Sequence, residues 1–208
     1  MEVGAADRSM LTVGADRSSS DALGADPSSP DALRLLLSSH TPRGSAERRS
    51  QQRILDELDR LERPWDREAD PVHVTGSGIV TGERGSVLHH HRRLHRWLQP
   101  GGHVESGEAP GEAALRESQE ETGLELSHPD EGPVLIHVDV HPSAAGHVHL
   151  DLRFLLLAGT EDPSPPAGES PLARWFEWEA AEAVADDALR VALASARAWR
   201  IEHRLDLR

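Results

Sequence analysis

Behind residue 29 the apolar positions begin to recur at helical spacing. Leu33, Leu36 and Leu37 share one face, with Ser29 placed to cap and Pro30 suited to a first helical turn. Thr41-Pro42-Arg43-Gly44 interrupts the pattern. Ser45 is placed to cap a second helix, whose stripe is Ile54, Leu55, Leu58 and Leu61, and Pro64 ends it. From residue 72 the period changes to that of strands. Residues 72–81 and 86–90 read as two strands joined by Gly82-Glu83-Arg84-Gly85. A glycine-containing loop and a helix ending near Thr122 follow. Residues 134–141 and 147–158 then alternate cleanly, residues 163–171 read as a loop, and 174–178 as a short strand. Helical patches at 179–184 and 188–203 close the chain. Strands interleaved with helices predict an α/β sandwich with a mixed sheet.

The first thirty residues carry a different pattern. Val3-Gly4-Ala5-Ala6-Asp7-Arg8-Ser9, Val13-Gly14-Ala15-Asp16-Arg17-Ser18 and Leu23-Gly24-Ala25-Asp26-Pro27-Ser28 form a degenerate repeat of ten residues. A unit this short and polar cannot stack into a core, so a disordered N-terminal tail is expected over residues 1–28. The helical pair at 29–64 is expected to pack as an extension on a main domain at 70–208.

Composition narrows the field. The 208 residues hold 36 acidic and 22 basic side chains, a net charge of −14, and no cysteine. Every basic residue is arginine, because lysine is absent. Without cysteine there is no disulfide framework, thiolate metal site or thiol nucleophile. No apolar run reaches membrane-spanning length, and the first residues lack the features of a signal peptide, so a cytoplasmic location and no membrane partner are expected. The acidic balance argues against a nucleic-acid partner. It suits a chain that gathers carboxylates around divalent cations.

Two histidine-rich stretches stand out among thirteen histidines. His89, His90, His91 and His95 are interleaved with Arg92, Arg93 and Arg96 and contain no acid; the stretch either meets substrate phosphates or is a solvated connection. In the later hairpin, a simple turn at 142–146 pairs His141 with His147, Asp139 with His149 and His137 with Asp151. Strand alternation puts these six and Arg153 on one face, opposite Ile136, Val138, Val140, Val148, Leu150 and Leu152. That face either lines a substrate cleft, holds a transition metal through its imidazoles, or faces water. Arg96, His137, His149 and Arg153 are the candidate substrate contacts.

The chemistry concentrates between Gly101 and Leu124. On the predicted helix, Glu117, Glu120 and Glu121 stand at i, i+3 and i+4 and share a face, where their charges repel. A solvated acidic face fits these residues, and so does a cluster neutralised by a hard cation such as Mg²⁺. The complete spacing is Gly102, five residues, Glu108, seven residues, Arg116-Glu117-Ser118-Gln119-Glu120-Glu121-Thr122-Gly123-Leu124. It resembles the signature of the Nudix hydrolase family, and the preceding Trp97-Leu98-Gln99-Pro100-Gly101-Gly102 is similar to that family's strand and Pro-Gly-Gly turn.

The resemblance covers roughly residues 72–208 and implies a Nudix-type α/β/α sandwich. It implies hydrolysis of a pyrophosphate bond in a nucleoside diphosphate linked to another moiety, with Mg²⁺ or Mn²⁺ as cofactor and a small nucleotide-type molecule as substrate. The alternative is a non-catalytic nucleotide-binding or regulatory module on the same fold. By position, Glu117, Glu120, Glu121 and the Gly101 carbonyl are the implied metal ligands. Arg116 is expected to orient Glu117, while Glu108, Gly102 and Gly123 support the motif. Either Glu117 or Glu120 is the general base, or a later loop supplies it; Glu169 is the candidate there, against the plainer reading of a surface acid. Two positions depart from the pattern. Ser118 replaces an aliphatic residue, which weakens packing by ~1–3 kcal/mol unless its hydroxyl bonds the preceding turn. Ala109 stands at the helix N-cap, where losing a capping hydroxyl costs ~0.5–2 kcal/mol. The quaternary state stays open, a homodimer included.

Overall fold

The structure is a computed structural model that describes residues 26, 28–143 and 146–205. Of the tail expected to be disordered, all but Asp26 and Ser28 therefore lie outside the described residues.

The two N-terminal helices form where the apolar stripes predict them. α1 (Pro30–Ser39) starts with the Ser29 hydroxyl accepting from the Ala32 N–H at 3.2 Å. α2 (Ser45–Arg60) starts one residue earlier than the expected cap: Gly44 is the N-cap, at φ +92°, and Ser45 is already helical with no side-chain cap bond. A glycine enters that backbone region without a Cβ penalty, which a serine cannot do.

The sheet is built around two long parallel strands, β1 (Val72–Gly82) and β7 (Val148–Ala158), in register from Val72↔Val148 to Thr81↔Leu157. The other edge of β1 is shared. Its first half pairs with β4 (Gly101–His103) and its end with β2 (Gly85–His91), both antiparallel. β7 is flanked likewise by β6 (Leu135–Pro142) and the short β5 (Leu126–Ser127). β2 carries β3 (Arg96–Leu98) and β8 (Ala173–Phe176) on its two sides. The sheet is thus mixed, as expected.

Helices cover both faces. On one side α3 (Pro110–Thr122) joins α1 and α2, and Leu33, Leu37, Ile54 and Leu58 pack in one core with Val74, Ala113, Leu150 and Phe154. On the other, α4 (Trp178–Val184) and α5 (Asp187–Glu202) bury Ala181, Leu189 and Leu193 against Ile79 and Leu155. This is the α/β/α sandwich. The N-terminal pair is also fastened by a polar clamp. Glu47 of α2 is 3% exposed and its carboxylate accepts from the Val138 N–H of β6 at 3.1 Å and bonds His40 Nε2 at 2.7 Å. α2 therefore meets a backbone amide of an outer strand with a charge-assisted bond.

α3 lies close on β1 because β1 offers glycines. A Cβ on Gly76 would stand 2.3 Å from the Pro110 carbonyl oxygen, and one on Gly78 would stand 2.2 Å from Ser118 Oγ. This changes the meaning of Ser118. Its hydroxyl is buried and bonds nothing, so it does not bond back to the preceding turn. Instead a small residue on the helix faces a missing side chain on the strand, and an aliphatic residue there has no room above Gly78. At the helix start, Ala109 makes no side-chain cap, but Glu112 accepts from the Ala109 N–H at 2.9 Å, which satisfies that donor. Gly123 closes the helix in the left-handed region, at φ +67°, its N–H donating to the Gln119 carbonyl at 2.8 Å.

The β6–β7 hairpin corrects the expected register. His141 pairs with His149, Asp139 with Asp151 and His137 with Arg153, a shift of two residues on one strand. The strands separate after Pro142↔Val148, so His147 belongs to the turn, where its carbonyl accepts from the Ser143 N–H at 2.8 Å. A shift of two preserves the strand period, so His137, Asp139, His141, His149, Asp151 and Arg153 still share a face; Ile136 does not join Val138 as expected, because an irregularity between Leu135 and His137 sends it into the other core with Ile79 and Leu155.

Candidate active site

The part of the sheet face that α4 and α5 leave uncovered opens into a cleft of about 670 Å³, reached by residues of β1, β2, β4, β7 and the 168–170 loop. Two systems of charge meet there.

The first stands on α3. Arg116 is the hub: its guanidinium donates to both oxygens of Glu108 at 2.9 and 3.0 Å, to Glu117 Oε1 at 2.9 Å and to the His103 carbonyl at 2.9 Å. One planar fork thus ties the loop before the helix, the helix itself and β4. Glu120 lies farther out, 3.5 Å from Arg116 and about half exposed on its side chain. Gly102 lets β4 approach, since a Cβ there would lie 2.4 Å from the Glu117 carboxyl carbon. Glu121 reaches the same strand and accepts from the Gly101 N–H at 2.9 Å. Burial pushes the Glu121 carboxyl up to about 8; the Gly101 N–H opposes this, and the charges of Glu117, Glu169 and Glu120 add to it. The nearest cation candidate, His89, has Nδ1 3.6 Å from Glu121 Oε1, but burial and its histidine neighbours hold it down at about 4, so it is neutral at pH 7. A mostly buried carboxylate among three others, facing a neutral imidazole, matches the oxygen donor set of a hard divalent cation. Those residues fit such an ion.

Glu169 belongs to this group through its loop. Arg92 Nη2 donates to the Glu169 carbonyl, Ser170 Oγ donates to the His90 carbonyl at 2.6 Å, and the Ser164 N–H donates to the Thr122 carbonyl at 2.8 Å. The loop is therefore tied to β2 at one end and to the C-terminus of α3 at the other. Glu169 lines the cleft and its charge is felt at Glu121.

The second system lies on β1 and β7. Asp151 is 1% exposed and accepts from Thr75 Oγ1 at 2.9 Å, Ser77 Oγ at 2.7 Å and Arg153 Nε at 2.9 Å. Burial alone would raise its pKa, but the Arg153 guanidinium holds it below the usual carboxylate range. Arg153 also reaches Asp139 at 3.2 Å. Asp139 and Asp151, opposite each other in the observed register, are thus bridged by one buried arginine.

The four candidate substrate contacts separate. His149 lines the cleft. His137 and Arg153 are buried beneath it, at 3% exposure each, and do not line it. Arg96 is turned away, its guanidinium 3.4 Å from Asp186. The basic stretch does reach the cleft, through His91, Arg92 and Arg93. The residues that sequence reasoning missed are His73 and His103. His73, His103, His147 and His149 form a cluster of rings with centroids 5.1–5.7 Å apart in the contacting pairs. Burial and the neighbouring histidines push His73 down to about 4 and His149 likewise to about 4. A signal was present: His73, Thr75 and Ser77 alternate along one strand and mark its polar face.

A family model described as NUDIX domain matches residues 71–197. The asymmetrical bis(5′-nucleosyl)-tetraphosphatase of Rattus norvegicus is 59% identical over 34 residues, 16% of this chain and 23% of that protein. The Mus musculus protein of the same name is 56% identical over the same length. The chain thus spans about a quarter of the length of the curated relatives it matches. Among solved structures, a NUDIX-family hydrolase from Clostridium perfringens superposes with a TM-score of 0.50 at 27% identity, covering 65% of this chain and 97% of that one. An Ap4A hydrolase from C. elegans, in a binary complex, superposes with a TM-score of 0.53 at 19% identity, covering 62% and 98%, a likeness of fold.

Proposed function

Because the chain belongs to the Nudix hydrolase family, we propose that its cleft hydrolyses a pyrophosphate bond, with Mg²⁺ or Mn²⁺, in a nucleoside diphosphate linked to another moiety. The observation that carries this reading is the placement of Glu121. Its carboxylate is mostly buried and feels the charges of Glu117, Glu120 and Glu169; among the described residues no arginine is in contact with it, while Arg116 is spent on Glu108 and Glu117. Such a set is stable in its charged form only with a cation added.

Each residue then has a task. Glu117, Glu120, Glu121 and the Gly101 carbonyl would hold the ion. When bound, a divalent cation offsets the charge of the pyrophosphate and lowers the pKa of water. Arg116 fixes the Glu117 carboxylate and couples it to β4 through the His103 carbonyl. Glu169, on its tethered loop, accepts the proton of the attacking water. The water oxygen forms a bond to phosphorus, the bridging P–O bond breaks, and the leaving phosphoryl oxygen takes the electron pair. Displacement of this kind relies mainly on positioning and electrostatics. Arg92 and Arg93 reach the cleft from the turn after β2, and suit the phosphate chain of a substrate, in a sequence that has no lysine for that purpose.

The relatives include an asymmetrical bis(5′-nucleosyl)-tetraphosphatase, and dinucleoside polyphosphates therefore head the substrates to be tried. The test is a screen of nucleotide derivatives with Mg²⁺ and with Mn²⁺, reading product masses, for the natural chain and for Glu121→Gln. Nucleotide release by the natural chain and its loss in a folded Glu121→Gln variant supports the reading. Tight nucleotide binding with no turnover under either metal overturns it in favour of a binding module.

A further inference from the structure

We propose that His73, His103 and His149 form a second metal site, separate from the carboxylate centre, that takes a transition ion of the Zn²⁺ class and leaves one coordination position open to the cleft. The proposal stands apart from the hydrolysis reading, since it uses none of the carboxylates.

The sheet brings the three imidazoles together from separate strands. His73 on β1 is in register with His149 on β7, and His103 on β4 is in register with Thr75, two residues along β1 from His73. One nitrogen from each of the three rings lies within 4.8 Å of the others. A tetrahedral ion bound at 2.0–2.1 Å needs its nitrogens ~3.3 Å apart, a closure of about 1.5 Å that ring rotation supplies. His103 and His149 line the cleft and have space to rotate; His73 is fully buried beneath them.

His73 is the second, independent observation. It is 0% exposed, and neither ring nitrogen makes a hydrogen bond of ordinary geometry. A buried polar group left unpaired is costly, and natural structures rarely keep one without a use. A metal bond occupies one nitrogen, and the other then faces the main chain at Asp70, the usual companion of a ligating histidine. The alternative account, a packed layer of neutral rings, gives His73 nothing beyond the weak contact at Asp70.

The donor set selects the ion. Imidazole nitrogen suits Zn²⁺, Cu²⁺, Ni²⁺ and Co²⁺, whereas Mg²⁺ prefers oxygen. The cleft thus offers a nitrogen site beside an oxygen site, each selective for a different class of ion. Among the described residues Arg67, with Nη1 3.4 Å from His103 Nδ1, is the opposing charge in contact, and its side chain is more than half exposed, free to turn into solvent. With three ligands from the protein, the fourth position faces the cleft, where a water or a phosphate oxygen of a bound substrate completes the tetrahedron. His147 in the hairpin turn, its ring 5.3 Å from that of His73, stands at the rim.

The experiment titrates the metal-free full chain with Co²⁺ alone and follows visible absorption, with Zn²⁺ as competitor. The expected result is an intense four-coordinate cobalt spectrum at one equivalent, displaced by Zn²⁺ and retained in Glu121→Gln. His103→Ala and His149→Ala are each expected to weaken binding by ~10-fold or more, a lower bound set by losses at outer-shell partners. Because His73→Ala removes a buried side chain, the two cleft-lining variants are decisive, with near-ultraviolet circular dichroism to verify their fold. A weak six-coordinate spectrum, or binding that survives both histidine variants, overturns the proposal. So does binding lost in Glu121→Gln, which assigns the cobalt to the carboxylates.

Discussion

The carboxylate of Glu121, on the last turn of α3, accepts a 2.9 Å hydrogen bond from the main-chain N–H of Gly101 on β4. That bond holds a mostly buried acid against the strand while burial, with the charges around it, pushes its pKa up to about 8. In the absence of metal the folded chain therefore keeps a proton that the unfolded chain releases near 4.5, the ordinary value for glutamate. Folded protein binds more protons than unfolded protein between about pH 4.5 and 8, so metal-free stability is expected to fall as pH rises through that window. Added Mg²⁺ is expected to restore it, most strongly at the alkaline end. Thermal unfolding with and without EDTA across the window checks the sign. In Glu121→Gln the slope is expected to flatten and the activity to drop by ~10²–10³-fold, the scale for losing one group that stabilises transition-state charge.

Arg116 serves Glu108, Glu117 and the His103 carbonyl with a single guanidinium. Arg116→Ala is expected to cost about 2–4 kcal/mol in urea unfolding, because it leaves two partly buried carboxylates unpaired. Arg116→Lys keeps the charge but not the fork, so it is expected to recover part of the stability and less of the turnover. Equal stability and equal kcat in Arg116→Lys would show that the fork is not what matters.

Glu169 lines the cleft from a loop tied to β2 and to the end of α3. With Glu169 as the proton acceptor, its replacement by glutamine is expected to lower kcat by ~10²-fold or more, with KM little changed. An unchanged kcat would return Glu169 to the surface acids and leave the base among Glu117 and Glu120.

Arg153 is 3% exposed and bridges Asp151 and Asp139. Arg153→Ala is expected to destabilise by ~3–5 kcal/mol, because a buried acid, Asp151, and a half-buried one, Asp139, lose their shared partner. The acids also carry a pH signature. Burial would raise the Asp139 pKa, but the hydrogen bond to His141 and the Arg153 charge hold it down at about 2, below its ordinary 3.8. Its contribution is present above about pH 4 and is lost as pH falls toward 2. Acid unfolding of the natural chain is expected to lie below that of Arg153→Ala, and circular dichroism during acid titration measures the gap.

How far the sequence reaches differs from element to element. Leu33, Leu37, Ile54 and Leu58 declared two amphipathic helices, and the alternation in β6 and β7 declared two strands and their faces, because periodicity is a local property of the backbone. Spacing alone brought Glu108, Arg116, Glu117 and Glu121 onto one loop and one helix, so their meeting needed no knowledge of the fold. Register escaped: the turn after Pro142 excluded His147 from the ladder, and nothing in the alternation distinguishes a pairing from one shifted by two. Partners distant in sequence escaped as well. Glu47 meets Val138, and Ser118 meets Gly78, only because helices pack on a sheet whose order the alternation does not fix. Periodicity was enough for the longer helices and strands, and spacing for the motif with its carboxylates, but not for β3, β4 and β5, whose two or three residues are too short to show a period. Only the tertiary structure decided which histidines meet, because β1, β4 and β7 contribute one each and long-range strand pairing sets their distances.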